Sequence, residues 1–88
     1  MNFSEFQETV VDNGATAIDR GNGHWQVRVG AVTLNYYPTS SRRTLFVNPI
    51  DGVTKTMRFE KADINTVLKL VKDFKGKEVN NGDGGNDP

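Results

Sequence analysis

The chain contains no cysteine and a single histidine, His24. Disulfide bracing and thiolate chemistry are excluded, and a structural zinc site built from Cys and His is not expected. Long apolar runs are missing too. None exceeds three residues, the longest being Leu45-Phe46-Val47, so no segment can cross a bilayer as a helix. Asp19, Asp51, Asp63 and Asp73 are scattered at element ends and do not form a metal-ligating cluster. The opening Met1-Asn2-Phe3-Ser4-Glu5 lacks the basic cluster and apolar stretch of a secretory signal. These absences lead us to expect a soluble cytoplasmic protein that needs no cofactor and no metal and has no membrane partner.

Net charge is absent as well, with 11 Lys+Arg against 11 Asp+Glu, but its layout is uneven. Residues 20–50 hold Arg20, Arg28, Arg42 and Arg43 and no acid. The last 11 residues hold Glu78, Asp83 and Asp87 and no base, so the body before them carries a net +3. A local basic strip of this kind attracts phosphates. The ordinary alternative is a solvated surface.

What is present is a pattern of short amphipathic elements in 88 residues, enough for one small core. Ser4 followed by Gln7 matches a capping box, and Phe3, Phe6 and Val10 form one helical stripe that Asn13-Gly14 closes. Residues 15–20 read as a small-residue strand ending in the turn Gly21-Asn22-Gly23. Residues 24–29 and 32–37 read as two strands joined by Gly30-Ala31, and glycine leading a two-residue loop predicts a tight hairpin. That loop fixes a register. Trp25, Val27 and Val29 face Tyr36, Leu34 and Val32 on an apolar side; His24, Gln26 and Arg28 face Tyr37, Asn35 and Thr33 on a polar one.

After Pro38 comes the loop Thr39-Ser40-Ser41-Arg42-Arg43, followed by a second hairpin over 44–48 and 53–59. Ile64, Val67, Leu68, Val71 and Phe74 recur at helical spacing over 62–75, and Gly76 is the expected stop. Residues 77–88 have one apolar side chain, Val79, too little to offset the entropy of ordering them. The expected organisation is a single α+β domain over 1–76, of order α-β-β-β-(β-β)-α, with a flexible tail over 77–88. Its antiparallel sheet has both helices packed on one face.

The helix closed by Asn13-Gly14, the strand ending Asp19-Arg20, the turn Gly21-Asn22-Gly23-His24 and the closing-helix run Ile64-Asn65-Thr66-Val67-Leu68-Lys69 resemble the HicA-type mRNA interferase toxins. Those toxins have a fold similar to the double-stranded-RNA-binding domain. The resemblance covers about two-thirds of the chain and implies a ribonuclease in which His24 is catalytic. Gly23 stands where that family has serine, and 44–59 is an additional hairpin. The Trp25-Gln26 and Tyr36-Tyr37-Pro38-Thr39-Ser40 segments also resemble small bacteriophage accessory proteins.

Two functions compete on these residues. One is an RNA- or DNA-binding module whose polar sheet face (Gln26, Arg28, Thr33, Asn35, Tyr37) and loop (Ser40, Ser41, Arg42, Arg43) contact bases and phosphates, with His24 as general acid–base if RNA is cleaved. The other is a non-enzymatic bacteriophage protein acting in the host cytoplasm, which binds and inhibits a host protein through the same face. Binding is favoured over catalysis, because His24 has no second acid–base partner unless Tyr37 serves. The bland reading of His24 is a sheet histidine stacked on Tyr37. Few charges guard the strand at 15–20, so a homodimer through that sheet edge is also expected.

Overall fold

A computed structural model describes residues 1–49 and 56–81. Two helices and five strands follow one another as α1 (Phe3–Asp12), β1 (Thr16–Asp19), β2 (Trp25–Val29), β3 (Val32–Tyr36), β4 (Leu45–Pro49), β5 (Met57–Phe59) and α2 (Ile64–Asn81). The strands form one antiparallel meander in the order β1-β2-β3-β4-β5, so the second hairpin extends the sheet of the first. The fold is α+β, as the sequence predicts. The connection at 50–55, and with it Val53, lies outside the described residues.

Helix α1 begins two residues earlier than its Ser4 signal suggests. Asn2 is the cap: its side-chain oxygen accepts from Glu5 N at 2.8 Å, while Glu5 Oε1 accepts from Asn2 N at 3.0 Å. Asn2-x-x-Glu5 is as good a capping box as Ser4-x-x-Gln7, and choosing it brings Phe3 into the helix, on the stripe with Phe6 and Val10. Gln7 is thereby released to donate to the Ala17 carbonyl at 3.0 Å. That carbonyl is on the outer side of β1, so this edge acceptor is already occupied. Gly14, at φ +91°, makes the left-handed exit from the helix.

The β2–β3 register is the expected one, Trp25↔Tyr36 through Val29↔Val32, around Gly30 at φ +57°. A positive φ at the first loop position suits a mirror-type turn, whose twist matches the strands it joins. The three-residue turn before β2 uses positive φ at Gly21, Asn22 and Gly23 in succession. A run of this kind needs residues that tolerate the left-handed region, and Gly-Asn-Gly supplies them.

Alternation then sorts the sheet into two faces. Ala17, Val27, Val29, Val32, Leu34, Tyr36, Leu45 and Val47 are buried beneath Phe6 and Val10 of α1 and Val67, Leu70 and Val71 of α2. Leu70, not Leu68, completes the α2 stripe; Leu68 is only half-buried. Trp25 sits at the rim, packed edge-on to Phe3 at 5.5 Å and tilted against Phe6 at 4.8 Å. The Tyr36 hydroxyl donates to Ala62 O at 2.9 Å and so fastens the sheet to the entry of α2. Asp63 caps that helix through Thr66 N at 3.0 Å.

Helix α2 does not stop at Gly76; its backbone stays helical to Asn81. Glycine inside a helix costs only about 1 kcal/mol, and the flanking Lys75, Lys77 and Glu78 are good helix formers. The rest of the expected tail, 82–88, lies outside the described residues.

Candidate functional site

With both helices on one side, the other side of the sheet carries an unbroken grid of side chains. One row crosses all five strands as Ile18, Gln26, Asn35, Phe46 and Arg58. Beside it run Thr16, Arg28, Thr33 and Asn48. His24 and Tyr37 lie just past the ends of β2 and β3, where their rings stack at 4.7 Å with planes 16° apart. Stacking at that spacing is the favourable offset or parallel geometry for two flat rings.

An amide ladder ties these groups together. His24 Nε2 lies 2.7 Å from Asn35 Oδ1, which also accepts from Gln26 Nε2 at 3.0 Å. Asn35 Nδ2 donates to Asn48 Oδ1 at 2.7 Å, and Asn48 Nδ2 donates to Thr56 Oγ1 at 3.3 Å. Because the Asn35 nitrogen is committed to Asn48, its oxygen faces the imidazole, which assigns the proton to Nε2. Nδ1 is then the ring nitrogen left to accept a hydrogen bond. Gln26 Oε1 is buried with no partner among the described residues, an uncompensated cost of about 1–3 kcal/mol. The ladder holds the polar face in one arrangement from β2 to β4 and on to Thr56, the residue before β5.

Further along the face, Tyr37 meets Phe46 edge-on at 6.1 Å, and the Arg58 guanidinium carbon lies 5.9 Å from the Phe46 ring centroid. Rings and a cation over a ring are the elements from which base-stacking surfaces are built. Phe46, Asn48 and Arg58 were not among the sequence candidates. Their signal was the alternation of Leu45-Phe46-Val47-Asn48 and Met57-Arg58-Phe59, which puts them opposite the core residues once β4 is known to pair with β3.

The loop candidates separate. Thr39–Arg43 is tied down by Ser40 N and Oγ donating to Tyr37 O at 3.3 and 3.0 Å, and by Lys61 N and Ala62 N donating to Arg42 O and Arg43 O at 2.6 and 3.1 Å. Arg42 points to Glu60 at 3.5 Å, and Glu60 also takes Arg58 at 2.7 Å. These are exposed pairs and contribute little stability, but one acid from β5's end offsets two cations of the basic strip. Ser41 is exposed. Arg43, held at φ +44°, lines a cleft on the helix-bearing side of the sheet and does not join the open face. The structure therefore brings His24, Gln26, Arg28, Thr33, Asn35 and Tyr37 onto one surface and leaves Arg43 on another.

Among the described residues no group of three His, Cys, Asp or Glu side chains could hold a metal, and no helix is long and apolar enough to cross a membrane. No protein-family model, curated protein or solved structure matches the chain.

Proposed function

We propose that the protein is a nucleic-acid-binding module that takes a single strand on the open face of its sheet. The observation that carries this reading is the coincidence, on the one face no helix covers, of the stacked His24–Tyr37 rings, the Phe46 ring under Arg58, and the amides of Gln26, Asn35 and Asn48. Rings stack on bases of any sequence, amides meet their edges, and Arg28 and Arg58 supply cations for phosphates. The binding reading needs no proton transfer. His24 serves as a ring and as the donor that orders Asn35.

Fluorescence anisotropy with labelled single-stranded RNA and DNA oligonucleotides tests this directly. Affinity should fall with salt at a log–log slope of about −0.7 for each phosphate contacted. Tyr37→Ala or Phe46→Ala should each weaken binding by about 1–3 kcal/mol, the worth of one stacked base, with the fold unchanged by circular dichroism. Absence of binding at low salt, or binding by both variants as tight as wild type, overturns the proposal. The pairing of Arg42 and Arg58 with Glu60 favours one second reading, a protein partner docked on the same face, which would bind with a much weaker dependence on salt.

A further inference from the structure

The cleft that Arg43 lines is separate from the open face. It has a volume of about 450 Å³ and opens at the end of the sheet, between the β3–β4 loop and the start of α2. Pockets of roughly 300–1,000 Å³ are the size that takes small molecules or single side chains. Its floor is the paired rings of Trp25 and Tyr36, 6.3 Å apart and near-perpendicular, and Pro38 and Ile64 add apolar wall. The Tyr36 hydroxyl is spent on Ala62 O and its ring is buried against Phe6, so the half-buried Trp25 indole is the aromatic surface the cleft offers. Whatever enters deeply must be apolar, and a planar group uses the indole best.

Two charged side chains of opposite sign also line the cleft, Arg43 and Asp63. Both reach the Tyr36 hydroxyl electrostatically, Asp63 raising its pKa and Arg43 lowering it, so both lie close to the aromatic floor. The Arg43 backbone is bonded to Ser40 O and Ala62 N, but its guanidinium makes no hydrogen bond or ion pair among the described residues. Its backbone is nonetheless held at φ +44°, an unfavourable conformation for a residue with a side chain. The Asp63 carboxylate caps α2, taking Thr66 N and Oγ1 on Oδ1 and the Asn65 N–H besides, and it remains exposed to a donor arriving from solvent. A simple anion would be attracted by one group and repelled by the other. A ligand that satisfies both must carry an anion and an N–H donor a few atoms apart, above a flat apolar body.

We propose that this cleft binds an aromatic amino-acid residue with a free carboxylate: its ring on Trp25, its carboxylate on Arg43 and its nitrogen on Asp63. That chemistry has two sources, a free aromatic amino acid and the C-terminal residue of a polypeptide. Trp25 is the single tryptophan, so its emission, excited where phenylalanine does not absorb, reports the cleft alone. The full chain is titrated with L-phenylalanine, with glycyl-L-phenylalanine, with hydrocinnamate, which lacks the nitrogen, and with phenethylamine, which lacks the carboxylate.

The expected result is saturable change with L-phenylalanine or the dipeptide, and about tenfold weaker binding of hydrocinnamate and phenethylamine, the usual loss for one charge-assisted hydrogen bond. Tighter binding of the dipeptide than of the free amino acid identifies a polypeptide C-terminus as the source; the reverse identifies the amino acid. Arg43→Gln should weaken L-phenylalanine and hydrocinnamate about tenfold and leave phenethylamine unchanged. Asp63→Asn keeps an acceptor for Thr66 and hence the helix cap, and should weaken L-phenylalanine and phenethylamine alone. No saturable change with any probe up to about 10 mM, a concentration above the millimolar range of weak ligands, refutes the proposal. So does equal affinity for all four, or indifference to Arg43→Gln.

Discussion

Tyr36→Phe removes one oxygen and leaves the ring, and the structure fixes what that oxygen does. Tyr36 is 5% exposed, and its hydroxyl donates to the Ala62 carbonyl at 2.9 Å, across 26 residues of chain. It is the side-chain link between the middle of the sheet and the residue just before the Asp63 cap of α2. The net value of such a bond is about 1 kcal/mol, and leaving the buried Ala62 carbonyl without its donor raises the expected loss to about 1–2 kcal/mol. In a domain of this size each 1 kcal/mol lowers Tm by about 4–8 °C, so the variant should melt well below wild type at neutral pH. Ring packing on Phe6 and Trp25 is retained, which separates this effect from a cavity.

The same hydroxyl adds an alkaline signature. Its pKa is raised, chiefly by burial and further by the Asp63 carboxylate, against a smaller opposing pull from Arg43. The unfolded chain therefore ionises this tyrosine first. Above about pH 10 the unfolded state holds fewer protons than the folded one at this group, so wild-type stability falls as pH rises. Tyr36→Phe has no such loss. The gap between them, measured by urea unfolding followed by circular dichroism, should be full at pH 7 and narrow above pH 10. Equal stability at pH 7, or a gap that widens with alkalinity, would refute the assignment of this bond.

Two further outcomes follow from the same coordinates. Asn2→Ala should cost about 1 kcal/mol by thermal melting while Ser4→Ala stays within about 0.5 kcal/mol, because the cap belongs to Asn2; the opposite ranking would return the helix start to Ser4. Phe6→Ala, at a side chain with no exposed surface, should cost about 3–5 kcal/mol, whereas Phe46→Ala on the uncovered face should cost clearly less; comparable losses in denaturant melts would mean that face is packed.

How much of this could be read without coordinates depends on whether a local rule had one solution or several. The β2–β3 ribbon had one: strict alternation over Trp25–Val29 and Val32–Tyr36, with glycine at the turn, admits a single register, and all five pairs are found. The start of α1 had two, since Asn2-x-x-Glu5 and Ser4-x-x-Gln7 both satisfy the capping box. What decides between them is tertiary: with Asn2 as cap, Phe3 enters the helix and reaches Trp25. Helix propensity failed similarly at Gly76, where a weak local cost was mistaken for a stop.

The site divides along the same line. His24, Gln26, Arg28, Thr33, Asn35 and Tyr37 were legible because one hairpin register places all of them. Phe46, Asn48 and Arg58 depend on whether a second hairpin joins the first, and alternation inside a strand says nothing about its neighbour. Arg42 and Arg43 show the limit most clearly. They are adjacent and identical in type, yet one pairs with Glu60 and the other lines the Trp25 cleft. The positive φ at Arg43 turns the chain between them, and no composition or charge count can divide two neighbouring arginines between two sides of a sheet. A basic strip read from sequence is thus a sum over directions, and its effect on a bound strand depends on the cations that share a face. Here those are Arg28 and Arg58, the second of them already paired with an acid. On the reading proposed for the open face, rings and amides would supply most of the affinity, and a salt slope of only the few phosphates that Arg28 and Arg58 can reach, combined with a large loss on Tyr37→Ala, is the signature that arrangement should leave.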